Sequence, residues 1–288
     1  MAGQAQVAWR VVRTPHFLIY YTAGNEAAAR DSGEFAEAWR IIIADKLKYD
    51  FPGTTPIYLY PDRQSFATEM GVSPDNAMVG AAHTRTLSIS VDASGLFTDI
   101  RHVIPHELVH VFVFHELKEN AIDMPLWMHE GLAKYLTNDW NGADAELLNE
   151  AATNGEIMPL QRISSIFPRD PHGTSVAYTE SYGVVRFMAE KYTPACIPDL
   201  LTELADGKPF PTAMQYSIGI TPEEFEAQWQ QYVWEKYRLN RWLEAAGALV
   251  FFVMSIAVIF AYRRRRIQLR KKVEQFERED PGDDGLEY

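Results

Sequence analysis

Residues 104–136 read IPHELVHVFVFHELKENAIDMPLWMHEGLAKYL, and the rest of the chain is interpreted outward from them. The stretch holds His106-Glu107-Leu108-Val109-His110, the zinc signature His-Glu-x-x-His. On a helix, positions i and i+4 share a face about 5–6 Å apart, so both imidazoles can reach one ion while Glu107 points beside it at a bound water. Ile104, Leu108, Val109, Val111, Phe112, Val113 and Phe114 make this helix apolar nearly all round, the pattern of a buried helix. Two histidines and a glutamate in so dry a setting need a partner, because unpaired buried polar groups are costly. Pro105 deprives the Arg101 carbonyl of its helical donor, so the helix is expected to begin or kink near Pro105, with the ligand geometry after residue 106 intact.

A catalytic site that keeps one position open for water needs a third ligand. His115 follows His110 by five residues and points away from it on a straight helix, which favours a structural or exposed role. Residues 125–135 read as a second helix with Pro125 in its first turn, and there His129 and Glu130 compete. Successive helical side chains diverge by about 100°, so only one of the two can face the ion.

His-Glu-Leu-Val-His followed by Pro-Leu-Trp-Met-His-Glu-Gly-Leu-Ala-Lys-Tyr-Leu resembles the gluzincin metallopeptidases of the peptidase MA-like family. Their second motif, Trp-x-x-Glu-Gly-x-Ala-x-Tyr, matches from Trp127 to Tyr135, and nineteen residues separate His110 from Glu130. The resemblance implies that Glu130 is the third ligand and His129 its neighbour. It extends weakly to 15–22, 177–192 and 220–233, covering most of residues 7–235, and is specific only in the two metal-binding helices. It does not follow the metzincin pattern, which needs Gly and His where Val113 and Glu116 stand.

Working outward, 7–12 and 16–22 alternate and are rich in β-branched and aromatic residues, which predicts strands. Residues 25–50 carry apolar positions at helical spacing and stop before Phe51-Pro52-Gly53, and 55–60 returns to strand. A short helix over 62–70 precedes a strand pair at 78–84 and 86–92, and from residue 98 the signals are helical. The fold class expected is therefore α+β, gluzincin- or thermolysin-like: a mixed sheet with helices over 1–95, packed against a helical half over 96–240, with a cleft between them. Thr221-Pro222-Glu223-Glu224 has the order of a capping box and opens the last helix before residue 240.

Residues 245–262 (AAGALVFFVMSIAVIFAY) carry no charge and as a helix span about 27 Å, which predicts a single transmembrane helix over 241–262. Trp234, Tyr237 and Trp242 on one side and Tyr262 on the other are placed like interfacial aromatic belts. Arg263 to Arg266, then Arg270, Lys271 and Lys272, would put the tail 263–288 in the cytoplasm beside anionic lipid and the catalytic domain across the membrane. That orientation calls for an export signal, which the first residues do not resemble, so an upstream signal is expected; tail anchoring with a cytoplasmic bulk is the alternative. The acidic, Gly- and Pro-containing end of the tail reads as disordered.

The whole chain of 288 residues has a formal charge of −12, and outside the tail nineteen basic side chains face thirty-two acidic ones, so no nucleic-acid partner is expected. Cys196 is the only cysteine, which excludes an intrachain disulfide and leaves His and carboxylate as the metal donors.

The lead reading is a membrane-anchored zinc metallopeptidase with one Zn²⁺ and a protein or peptide substrate. Zinc held by His106, His110 and Glu130 would carry net charge +1, and Glu107 would take the proton of a water the ion acidifies and pass it to the leaving amine. Tyr178 or Tyr182, one turn apart, would supply an oxyanion donor, with Tyr178 preferred to Tyr182; the competing reading, with equal claim, makes both core tyrosines of an amphipathic helix. His83, His102 and His172 read as surface or core histidines. Related aminopeptidases hold the substrate amine with an acidic residue near an edge strand; the comparable strand here, 78–84, has no carboxylate, which favours an endopeptidase with substrate added to the sheet edge. A non-catalytic, zinc-stabilised domain that binds partners at the membrane is the alternative, although a structural site has no use for Glu107. The sequence carries no signal for oligomeric state.

Overall fold

A computed structural model describes residues 8–95 and 99–279. It separates into two units, Met1–Tyr232 and Val233–Tyr288, and each is taken by itself.

In the first unit β1 (Arg10–Arg13), β2 (Phe17–Tyr21), β3 (Thr55–Tyr60), β4 (Gly80–His83) and β5 (Ser88–Asp92) form one sheet in the order β1-β2-β3-β5-β4. Its middle is parallel, β2 with β3 and β3 with β5, and both outer pairs are antiparallel. Alternation puts Phe17, Ile19, Ile57, Leu59, Ile89 and Val91 fully inside on one face. Each such side chain contributes roughly 1.5–3 kcal/mol through burial. On this sheet α1 (Glu26–Leu47) packs over β2, while α3 (Ile100–Leu117) packs over β4 and β5. The short α2 (Arg63–Met70) is capped by Asp62, whose side chain accepts from the Ser65 N–H, and it ends at Gly71 with φ +66°.

The helical half follows: α4 (Leu126–Thr137), α5 (Gly142–Asn154), α6 (Pro171–Tyr192), α7 (Cys196–Ala205), α8 (Phe210–Ile218) and α9 (Pro222–Val233). α4 lies on α6 and against α3. Trp127, Phe187, Phe210, Phe225 and Trp229 build an aromatic core here, with ring centroids 5.6–6.5 Å apart in the contacting pairs. Thr221 and Glu224 make the capping box that their order predicts, each side chain accepting the other's backbone N–H. α3 starts a turn before Pro105, at Ile100, because Asp99 caps it by accepting the Arg101 N–H. The proline lies in the second turn, where it costs one donor without displacing the helix start.

The second unit holds a π-helical turn, Trp234–Leu239, and α10, Asn240–Glu279, of 40 residues. The transmembrane helix expected over 241–262 is not borne out: among the described residues no helix is long and apolar enough to cross a membrane. Arg263 to Arg266 follow in the same helix without a break. The basic part of the tail is thus a continuation of α10, and the expected disordered end, from residue 280, lies outside the described residues.

Candidate active site

Two helices bring the site together. α3 buries nearly every face, with Ile104, Leu108, Val109, Val111 and Phe112 fully inside, and turns His106 and His110 toward α4. Their ring centroids are 5.0 Å apart. From α4, Glu130 Oε2 lies 3.3 Å from His106 Nε2 and 3.8 Å from His110 Nε2. A ligand atom from each of the three residues lies within 4.8 Å of the others. A tetrahedral ion with bonds of about 2.0–2.2 Å keeps its ligand atoms roughly 3.3–3.6 Å apart, so this donor set fits one zinc with little adjustment.

The competition between His129 and Glu130 is decided by rotation about α4. His129 Nε2 meets the Ala121 carbonyl at 3.0 Å, outside the three-residue cluster. Its Nδ1 is buried with no hydrogen-bond partner among the described residues, and burial pushes its pKa down to about 4. Burial alone would raise the Glu130 carboxyl, but the hydrogen bond from His106 and the nearby His110 imidazole overcome it and hold the group well below the usual carboxylate range.

Glu107 is 9 % exposed, and burial pushes its pKa up to about 7, with the charge of Glu130 adding to the rise. His110 and the Ala82 backbone act the other way. A carboxyl near neutrality is suited to both accepting and releasing a proton. Edge strand β4 comes so close that a Cβ on Gly80 would stand 2.7 Å from Glu107 Oε1 and 2.4 Å from Val103 Cγ1. The alternation over 78–84 predicts a strand but not this contact, for which the small residues Gly80, Ala81 and Ala82 are the one sign in the sequence.

The two tyrosines separate. Tyr178 is 36 % exposed, and its hydroxyl is raised by burial and then by the charges of Glu130 and Glu107. Tyr182 is buried and stacks on Trp140 at 4.4 Å, a packing role. Four other histidines are also placed. His115 is hydrogen-bonded to the Tyr49 hydroxyl and stacked on Phe51, His83 meets Ser90 Oγ at 3.0 Å, His172 pairs with Glu156 at 3.0 Å on the surface, and His102 is exposed.

The model of the Peptidase MA superfamily matches residues 50–235, more than half of the chain and spanning both metal-facing helices. The chain belongs to the peptidase MA superfamily. Among solved structures, this superfamily member is similar to a two-domain M1 zinc metallopeptidase, a Glu-to-Ala mutant bound to L-tryptophan, with a TM-score of 0.46 and 15 % identity. The alignment covers 77 % of this chain and 51 % of that one, so the chain spans about half the length of that protein. No curated protein sequence matches it.

Proposed function

We propose that this peptidase MA chain is a zinc-dependent endopeptidase. His106, His110 and Glu130 hold one ion, Glu107 is the general base, and Tyr178 donates to the oxyanion. The observation that carries the reading is the convergence of the three donor atoms within 4.8 Å, beside a buried carboxyl that is not one of them. When bound there, zinc supplies Lewis acidity that polarises a carbonyl and acidifies water. Glu107 removes a proton from the attacking water and returns it to the leaving nitrogen, a round trip that a pKa of about 7 allows at neutral pH. Tyr178 stays protonated in the field of the two carboxylates and keeps its O–H as a donor for developing negative charge.

The endopeptidase mode is supported by β4. It lies at the end of the sheet order with one backbone edge unpaired to any strand among the described residues, and Gly80 to His83 offer no carboxylate to hold a free amine. A peptide added along that edge as an extended strand would run past Glu107. The test uses the full chain. Bound zinc is measured and an unstructured protein is offered to wild type and to Glu107→Gln. Cleavage by wild type alone, with zinc equal in both, is expected; equal cleavage by the two would remove Glu107 from the chemistry, and zinc without turnover would favour a binding domain.

A further inference from the structure

Arg63, the first residue of α2, is nearly buried, at 7 % exposed. Its guanidinium does not cap its own helix but gathers a separate segment. Nε donates to the Pro74 carbonyl at 2.8 Å, and the two terminal nitrogens donate to the carbonyls of Asn76 and Met78. Nη1 also reaches Asp92 Oδ2 at 3.2 Å. Asp92 is itself buried, at 3 % exposed, and its Oδ1 accepts the Ser94 N–H at 3.0 Å.

These partners share one property. Pro74, Asn76 and Met78 lie on the segment that feeds β4, and Asp92 ends β5, from which the chain leaves for α3. The Asp92 N–H continues the β4–β5 pairing by donating to the Val79 carbonyl at 2.9 Å. Two residues beyond Met78, Gly80 lies against Glu107. One planar cation with five donors in a fixed fork therefore ties the approach of the edge strand to the end of its neighbour.

The geometry points to Arg63 as a positioning residue that, through the segment 74–78, holds β4 at the height where its backbone meets Glu107 and, on the peptidase reading above, where it receives the substrate chain. A lysine can neutralise Asp92 but is a single point charge, and it cannot span three carbonyls spread over 74–78. Removing the charge altogether leaves Asp92 buried and unpaired, a separate and purely structural injury.

The experiment separates the two effects in the full chain. Arg63→Lys and the double variant Arg63→Met with Asp92→Asn, which removes both buried charges together, are compared with wild type and Glu107→Gln. Backbone hydrogen exchange is followed over 78–84 and 103–113, with zinc content, Tm, kcat and KM. In both variants exchange over 78–84 is expected to rise about tenfold or more while 103–113 and bound zinc are unchanged, since only the local opening of β4 becomes easier. KM rises more than kcat falls. Unchanged exchange over 78–84 in both variants overturns the inference, as does a double variant that regains wild-type Tm, exchange and KM together, because Arg63 would then serve only to neutralise Asp92. Should wild type turn over no better than Glu107→Gln, the peptidase reading fails, while the exchange measurement still decides the role of Arg63.

Discussion

Gly80 and Glu107 approach so closely that a single added methyl group would stand 2.7 Å from Oε1 of the glutamate. Backbone of the edge strand thus occupies the space beside the proposed base. Gly80→Ala forces Glu107 or Val103 aside, and overpacking of this kind costs about 1–3 kcal/mol. Turnover is expected to fall by at least about tenfold with zinc retained, since the displaced group is the proton carrier. Wild-type kcat in Gly80→Ala would refute the contact's importance.

Gly131 makes an even closer approach, because its Cβ would meet the Ser181 carbonyl oxygen at 2.2 Å. That atom is backbone and cannot swing away, so Gly131→Ala must part α4 from α6. Because Glu130 precedes Gly131 and Tyr178 lies on α6, zinc affinity and kcat should both drop. Thermal unfolding and zinc titration read this, and a variant matching wild type in both measurements would contradict it.

Removal of the metal should loosen the junction of α3 and α4. Two imidazoles and a carboxylate from two helices converge there, and an ion bound only by the folded chain adds stability by mass action. Tm is expected to fall on chelation and to return on adding zinc, and Glu130→Gln should blunt the recovery. An unchanged Tm through the cycle would argue that no ion is held.

Tyr178→Phe removes a hydroxyl that the charges of Glu130 and Glu107 keep protonated, and loss of one oxyanion donor lowers kcat by roughly 10²–10³. KM should move little. Tyr182→Phe, stacked on Trp140 instead, should keep kcat near wild type, and the reverse ranking of the two would reassign the donor.

Glu180 is fully buried, accepts the Met158 N–H at 3.0 Å and the Trp229 indole N–H at 3.4 Å, and is pushed by burial up to about 7. In the unfolded chain the same group titrates near its ordinary value of about 4.3, so the fold favours its protonated form. The favourable contribution is complete below about pH 4.3 and is lost as pH rises through about 7, a change on the order of 3 kcal/mol. Unfolding of wild type relative to Glu180→Gln, followed by denaturant titration from pH 4 to 8, should therefore shift in favour of the variant as pH rises. A difference independent of pH would show that Glu180 does not titrate in this range.

Much of this architecture follows from local pattern. Alternation predicts the strands at 16–22, 55–60 and 86–92, helical spacing predicts α1, and the capping order of Thr221 and Glu224 predicts the start of α9, because each depends on residues within a few positions of one another. The i, i+4 histidines and Glu107 belong to the same local class, as does the peptidase MA resemblance they carry. The apolar run at 245–262 was a local pattern too, and it misled: hydropathy measures a segment's composition, whereas crossing a bilayer needs an apolar length, and no helix among the described residues has it.

What the linear order could not decide was approach through space. Whether His129 or Glu130 faces the imidazoles depends on how α4 is rotated, and which tyrosine is stacked inside depends on α6. The meeting of Gly80 with Glu107, and of Arg63 with carbonyls eleven to fifteen residues away, arises from strand order and packing. The chain by itself determined which chemical groups are present and which of them share a helix turn. Tertiary packing alone selected which groups from different elements touch, since those separations are set by close-packed side chains and not by periodicity along the backbone.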